Sequence, residues 1–312
     1  MHEFHLHVTK IIISILLLLA LCPLPSYSTD APSVLLAAVG DVMLARTVPT
    51  IIAAHSPAWT WDKIAPLLQS ADLRFCNLEC PVARGGTAIT KRYSFRADPG
   101  LASQVLRAGG FDIVSLANNH TFDYGRVALR ETIDNMSSLH IMSPGAGTGR
   151  AAAIAPKMIC CQGLKIAIVA YTWWVPEGYL PSDDGPSPAI GDEHTLADEL
   201  KSAKRGADLL VVCMHWGREY SPTATAAQRR QAHLAIDAGA DLILGTHPHV
   251  AEPIEIYHHR PICYSLGNCL FDRSGHYTAN GLLVLIRLEK GKVTLERQVA
   301  LIIMDARPMT KR

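Results

Sequence analysis

Four apolar runs along the chain open on an aspartate and close on a polar side chain of metal-ligand type: ADLRFCNLE, FDIVSLANNH, ADLLVVCMH and ADLILGTHPH. Their length and apolar content predict strands. The spacing is seven residues from Asp72 to Glu79, from Asp112 to Asn119 and from Asp208 to His215. From Asp241 it is six to His247 and eight to His249. At about 3.3 Å per residue, strands of equal length carry these ends to one edge of a sheet. A fifth run, VLLAAV, ends in Gly40-Asp41. Helical periodicity appears over 124–139, 194–204 and 223–238, and the alternation predicts an α/β fold built in layers. Residues 253–301 are mostly strand-like, so the fold is not expected to be purely parallel. The expected loops are 81–87, 142–149 and 176–192; the last holds four prolines and three glycines and is a candidate lid.

Composition narrows the function. The chain has 312 residues, 49% of them apolar, with a net charge of +1. A sizeable core is therefore available, and no global field draws nucleic acid, so no nucleic-acid partner is expected. Function must come from a local site.

The N-terminus predicts export. Lys10 precedes an apolar run of 11 residues, Ile11 to Leu21, then Pro23, Pro25 and Ser-Tyr-Ser at 26–28. Such a run suits a signal peptide and falls short of the ~20 residues of a spanning helix. Residues 1–28 are expected to be cleaved after Ser28, leaving 29–312 as a single domain; the alternative is an uncleaved anchor. Cys22 follows Leu-Ala-Leu, too large a residue before it for a convincing lipoprotein site. Seven cysteines remain beyond it, so at least one is unpaired. Cys76, Cys213, Cys263 and Cys269 lie in or beside apolar runs, where cysteine acts as a small hydrophobe. No CxxC pair supports a zinc ribbon.

The strand ends supply Asp41, Glu79, Asn119, His215, His247 and His249. Polar residues also follow strands simply because strands stop at the surface, but that rule would mix in lysine and serine. Carboxylates, an amide oxygen and imidazoles suit a borderline divalent ion such as Mn²⁺, Fe²⁺ or Zn²⁺ better than Ca²⁺. Six ligands exceed one tetrahedral ion and fit one or two divalent ions, two of them sharing a carboxylate. GxSxG and GxxxxGK[ST] motifs are absent, which excludes the serine-hydrolase and P-loop readings.

GDVML, NLE, LANNHTFDYG, HWGREY, GTHPHV and YSLGN occur in the order found in CapA-type capsule-biosynthesis proteins, of the calcineurin-like metallophosphatase superfamily. The chain resembles that family over residues 34–272. The resemblance implies a layered sandwich of two mixed β-sheets flanked by helices, with a metal site at the strand ends. It also implies an association with poly-γ-glutamate, an anionic polymer of the cell surface. By resemblance, Asp41 and His249 would serve a first metal, Glu79 would bridge, and Asn119, His215 and His247 would serve a second. His120 matches a non-ligand histidine that gives a proton to a leaving group or stabilises developing charge. Asp123 either orients His120 or caps the helix beginning near Tyr124. Two departures stand out: Met43 takes a position that is histidine in many metallophosphatases, and Glu79 replaces aspartate. Thr246 and Cys269 stand where His and Phe are commoner in the family; neither is expected to be a ligand.

Around this set, Arg46, Arg96, Asn118 and Asn268 are expected on the substrate side, Arg46 and Arg96 as binders of phosphate or carboxylate. Lys91 and Arg92 read as surface charge. Trp173, Trp174 and Trp216 are divided between core packing and a groove wall. Two functional readings follow. One is an exported metal-dependent hydrolase or transferase, with metal-bound water attacking a phosphoester or γ-glutamyl amide. The other is a non-enzymatic envelope factor that assembles or exports an anionic polymer with membrane-bound capsule export machinery.

Overall fold

Each strand-opening aspartate locks its strand to a neighbour. The computed structural model describes residues 31–180, 185–272 and 280–311. Asp72 donates its N–H to the Leu35 carbonyl (2.8 Å) and accepts the Leu35 N–H on Oδ2 (2.8 Å). Asp112 grips Arg74 in the same way (3.1 and 2.9 Å). Asp208 grips Lys165 (2.8 and 3.0 Å) and Asp241 grips Leu210 (2.8 and 2.8 Å). A one-residue slip would break both bonds and turn every side chain to the wrong face. Segments aligned at their opening aspartates and equally spaced from their polar residues bring those residues together, although the strand that opens after Asp112 itself stops at Ser115.

The strands, in chain order, are β1 (Ser33–Val42), β2 (Leu73–Leu78), β3 (Ile113–Ser115), β4 (Ala146–Gly147), β5 (Lys157–Cys161), β6 (Leu164–Thr172), β7 (Ser187–Pro188) and β8 (Leu209–His215). They continue with β9 (Leu242–Thr246), β10 (Ile254–Tyr257), β11 (Arg260–Cys263), β12 (Asn268–Leu270), β13 (Asn280–Glu289), β14 (Lys292–Met304) and β15 (Arg307–Thr310). One sheet has the order β15-β14-β13-β1-β2-β3, with β12 pairing the end of β1. The other runs β10-β11-β9-β8-β6-β5. Both are mixed: β1-β2-β3 and β6-β8-β9-β11 are parallel, and antiparallel strands close their flanks.

The four longest described helices cover the outer faces: α1 (Pro99–Gly109), α2 (Gly125–Ser138), α3 (Glu193–Lys204) and α4 (Ala226–Asp237). Helix α1 starts where the Asp98 side chain accepts the Gly100 and Leu101 N–H groups, and it stops at Gly110, whose φ is +67°. A reciprocal Thr225–Gln228 capping box starts α4. Alternation along each strand sends successive residues to opposite faces. Leu36 and Phe75 therefore meet Ile168, Val211 and Leu244 between the sheets. On the far faces, Val39 and Leu78 pack with Leu106 and Leu129, and Val212 and Ile243 pack with Leu200 and Ala232. This is the expected sandwich of two mixed sheets flanked by helices. All seven cysteines of the described residues are free, and five are buried. No described helix is long and apolar enough to cross a membrane. The expected signal segment, 1–28, lies outside the described residues.

Candidate metal centre

The close approach of two backbones places the first candidate ligand. A Cβ on Gly40 would stand 1.8 Å from the Gly267 carbonyl oxygen, so only glycine fits there. Next to it, Asp41 donates its N–H to that same oxygen (2.9 Å). Its carboxylate is fully buried; Oδ1 accepts from Asn77 Nδ2 (2.8 Å) and Oδ2 lies 3.5 Å from His249 Nδ1. Glu79, one residue past β2, is also fully buried. Its Oε1 is 3.6 Å from His215 Nε2 and 3.8 Å from His249 Nε2. Among the described residues, neither Glu79 oxygen has a hydrogen-bond partner, and neither does His247 Nε2. Buried orphan atoms of this kind are costly unless a further group satisfies them.

Five of the six strand-end residues come together as two triads. Asp41, Glu79 and His249 offer ligand atoms within 4.8 Å of one another, and so do Glu79, His215 and His247. Glu79 is shared. Asn119 joins the second triad, with Oδ1 2.9 Å from His215 Nε2. The same His215 Nε2 lies 3.1 Å from His247 Nδ1. The donor set fits borderline divalent ions.

Supporting contacts orient the rings. His215 Nδ1 meets Thr246 Oγ1 at 2.9 Å, leaving Nε2 turned to the cluster. The Asn268 Oδ1 lies 2.9 Å from His249 Nδ1, which leaves Nε2 facing Glu79. His247 and His249 hold φ values of +99° and +59°, a conformation rare outside glycine and typical of functional sites. Burial, with neighbouring imidazoles adding to it, holds His215 and His247 far below the usual histidine range, so both are neutral and carry a free lone pair. Burial and the Asp41 charge push the Glu79 carboxyl well up. Burial would lower His249, but Glu79 and Asp41 outweigh it and raise the ring to about 10.

Beside the triads, His120 Nδ1 lies 2.8 Å from Asp123 Oδ2, and the ring stacks on Phe95 at 4.2 Å. The two roles weighed for Asp123 separate here. Helix α2 has Tyr124 as its N-cap with no side-chain cap bond, whereas Asp123 Oδ2 also accepts the Phe95 N–H (2.7 Å). Asp123 Oδ1 pairs with Lys91 Nζ at 2.5 Å, and Lys91 also donates to the Asn119 carbonyl (3.3 Å). The Lys91 side chain is only 6% exposed, so the surface-charge reading of Lys91 is corrected: the loop carrying it folds over Asp123.

One expected substrate-side residue is corrected as well. Asn118 is fully buried and committed internally, donating to Asn77 Oδ1 (3.2 Å) and the Leu78 carbonyl (2.9 Å) and accepting the His120 N–H (3.1 Å). It is scaffold because both faces of its amide are used. Arg96 gives its guanidinium to the carbonyls of Arg84 (3.0 Å) and Gly85 (3.2 Å) and lies over the Tyr124 ring. Arg46 pairs with Asp272 at 3.1 Å and lies over Tyr93 and Phe95; its φ is +58°. Asn77 is the residue the strand-end argument overlooks. It ties Asp41 to Asn118 across β1 and β2, and its signal is a polar side chain two before Glu79, on the same strand face. Trp216 is core, Trp173 packs against that core, and Trp174 is exposed with its ring 5.1 Å from His247. Met43 is buried, and its sulfur accepts the Ala45 N–H.

The profile of the bacterial capsule synthesis protein family PGA_cap matches residues 35–273. The chain belongs to that family. Among PGA_cap relatives, the PGA biosynthesis protein CapA of Bacillus subtilis (strain 168) is 32% identical over 277 residues, 85% of this chain and 71% of that protein. The capsule biosynthesis protein CapA of Bacillus anthracis is 29% identical over 281 residues, 86% of this chain and 67% of that one. A crystal structure of a hypothetical protein from Thermus thermophilus superposes with a TM-score of 0.56 at 17% identity, covering 85% of this chain and 98% of that one. That likeness shows a shared fold. As a PGA_cap member, the chain is a capsule-synthesis type protein, and the triads lie inside the matched region.

Proposed function

We propose that this chain is an exported, metal-dependent hydrolase or transferase of capsule synthesis, acting on a phosphoester or a γ-glutamyl amide of an anionic polymer. The observation that carries the reading is the pair of buried ligand triads sharing Glu79, whose carboxylate oxygens have no hydrogen-bond partner among the described residues. Asp41, Glu79 and His249 would hold one divalent ion; Glu79, Asn119, His215 and His247 would hold another, with Mn²⁺, Fe²⁺ or Zn²⁺ the matching class. Bound, such ions supply Lewis acidity and lower the pKa of water.

The chain's own residues do the rest. Asp123 holds His120 by Nδ1, which leaves Nε2 to give a proton to a leaving group. Burial holds the His120 ring below its usual range despite Asp123, so the ring, once protonated, is a stronger acid than an ordinary imidazolium. The apolar run Ile11–Leu21 supports export, and the family supports a partner in the capsule export machinery.

The test is turnover. Full-length protein loaded with Mn²⁺ is assayed on a phosphomonoester, a phosphodiester and a γ-glutamyl amide, beside His120→Ala. The expected result is turnover of one class and a loss of about 10²–10⁴-fold in the variant. A metal-loaded protein that turns over none of them, in cells where His120→Ala still supports capsule assembly, would mean a non-enzymatic envelope factor. One observation favours that second reading: the Met43 sulfur is turned to its own backbone, leaving the first triad at three protein groups.

A further inference from the structure

The groove above the triads carries a charge pattern that a simple polyanion does not match. A pocket of about 650 Å³ opens on Asn119 and His247, walled by Trp174, Glu177, Arg218 and Glu219. His247 is 2% exposed and its Nε2 has no hydrogen-bond partner among the described residues, so a buried polar atom belongs to this space. Lys91 also lines the pocket, but its ammonium is already answered by Asp123 and the Asn119 carbonyl. Arg218, Glu177 and Glu219 form no salt bridge among the described residues. The groove thus presents two unpaired carboxylates and one unpaired guanidinium beside an indole that is 47% exposed.

Each of these features selects a group. Carboxylates beside an open indole face attract an ammonium, by charge and by cation–π contact. A guanidinium selects a carboxylate. The interior of a polyglutamate chain carries only carboxylates and would be repelled by Glu177 and Glu219. We propose that this groove binds an α-amino-acid zwitterion at the end of its substrate, the ammonium toward Glu177, Glu219 and Trp174 and the carboxylate toward Arg218. The proposal rests on the hydrolase reading above and narrows its substrate. In a chain joined through γ-carboxyls, the amino-terminal residue keeps both its α-ammonium and its α-carboxylate. In an α-linked polyglutamate the first residue keeps its ammonium, but its α-carboxylate is spent and the γ-carboxylate that remains lies two methylenes further from that ammonium. The groove therefore selects the chain end over the interior, and γ-linkage over α-linkage.

Calorimetric titration of the full chain tests this with three probes: tri-γ-glutamate, its N-acetyl derivative and α-linked triglutamate. The protein is loaded with Mn²⁺ and its metal content is measured on the same sample. Tri-γ-glutamate should bind about tenfold more tightly than either comparator, the scale of one cation–π contact plus exposed charge pairs. Glu177→Gln with Glu219→Gln should erase the preference over the N-acetyl probe, and Arg218→Gln the preference over the α-linked probe. Equal or tighter binding of the N-acetyl probe, or no measurable binding of all three, overturns the proposal. Absence of metal from the loaded wild type defeats the hydrolase reading instead. The same affinity ratios, measured on that metal-free protein, then still decide the zwitterion preference.

Discussion

Lys91→Met removes one ammonium and keeps most of the apolar stem, which isolates the buried group behind His120. The Lys91 side chain is 6% exposed and that of Asp123 is fully buried, so water screens this pair little. In the variant the Asp123 carboxylate keeps the Phe95 N–H and His120 Nδ1 but loses the cation 2.5 Å away. Removing one partner of a buried pair costs about 3–5 kcal/mol, and the two retained hydrogen bonds place the expected cost near the lower figure. With roughly 2–4 °C per kcal/mol for a domain of this size, Tm should fall by about 6–12 °C. Scanning calorimetry in chelator, on Lys91→Met, Asp123→Asn and the double variant, measures it. The double variant should lose less than the sum of the singles, with a coupling of about 1–3 kcal/mol. A fall of under about 2 °C, or strictly additive singles, refutes the reasoning, because the carboxylate would then be solvated or answered by another group.

Two further predictions concern groups around the triads. Burial pushes the Glu252 carboxyl up to about 7, against the downward pull of Gln228, 2.8 Å away, and of Arg229. A folded value above the ordinary 4.5 means that its contribution to stability is full below about pH 4.5 and is lost as pH rises through about 7. Glu252→Gln should therefore leave stability near pH 4.5 unchanged and raise it by about 2 kcal/mol near pH 8. Urea unfolding at both pH values checks this, and an equal effect at both contradicts it. Thr246→Val removes the hydroxyl 2.9 Å from His215 Nδ1 while nearly keeping volume. Divalent-ion affinity should fall by about 10–100-fold with little loss of Tm, measured by competition with a chelating dye; unchanged affinity would show that the ring is oriented by packing alone.

What was legible in the sequence was what local spacing controls. The aspartate that opens each strand grips one residue of its neighbour, so equal spacing along the chain becomes alignment in space; Glu79, Asn119 and His215 converge for that reason. Helices α2, α3 and α4 match the stretches with helical periodicity to within three residues at each end. Side-chain direction was less legible. Asn118 and Asn119 are neighbours, yet one is locked beneath β2 and the other reaches His215, a difference set by tertiary contacts to Asn77 and Leu78. Lys91 sits in the polar stretch KRYS, and only the packing of its loop onto Asp123, 32 positions further on, buries it. Asn77 hides in an apolar run because its partners, Asp41 and Asn118, are distant in sequence.

The central claim is that Glu79 joins two ion sites, and bound metal per chain tests it most directly. Full-length protein reloaded with Mn²⁺ or Zn²⁺ is assayed by elemental mass spectrometry beside Glu79→Ala and His247→Ala. Because Glu79 belongs to both triads and His247 to one, the wild type should hold two equivalents, His247→Ala one, and Glu79→Ala fewer than one. A wild type that holds none after reloading, or a Glu79→Ala variant that keeps two, would contradict the account.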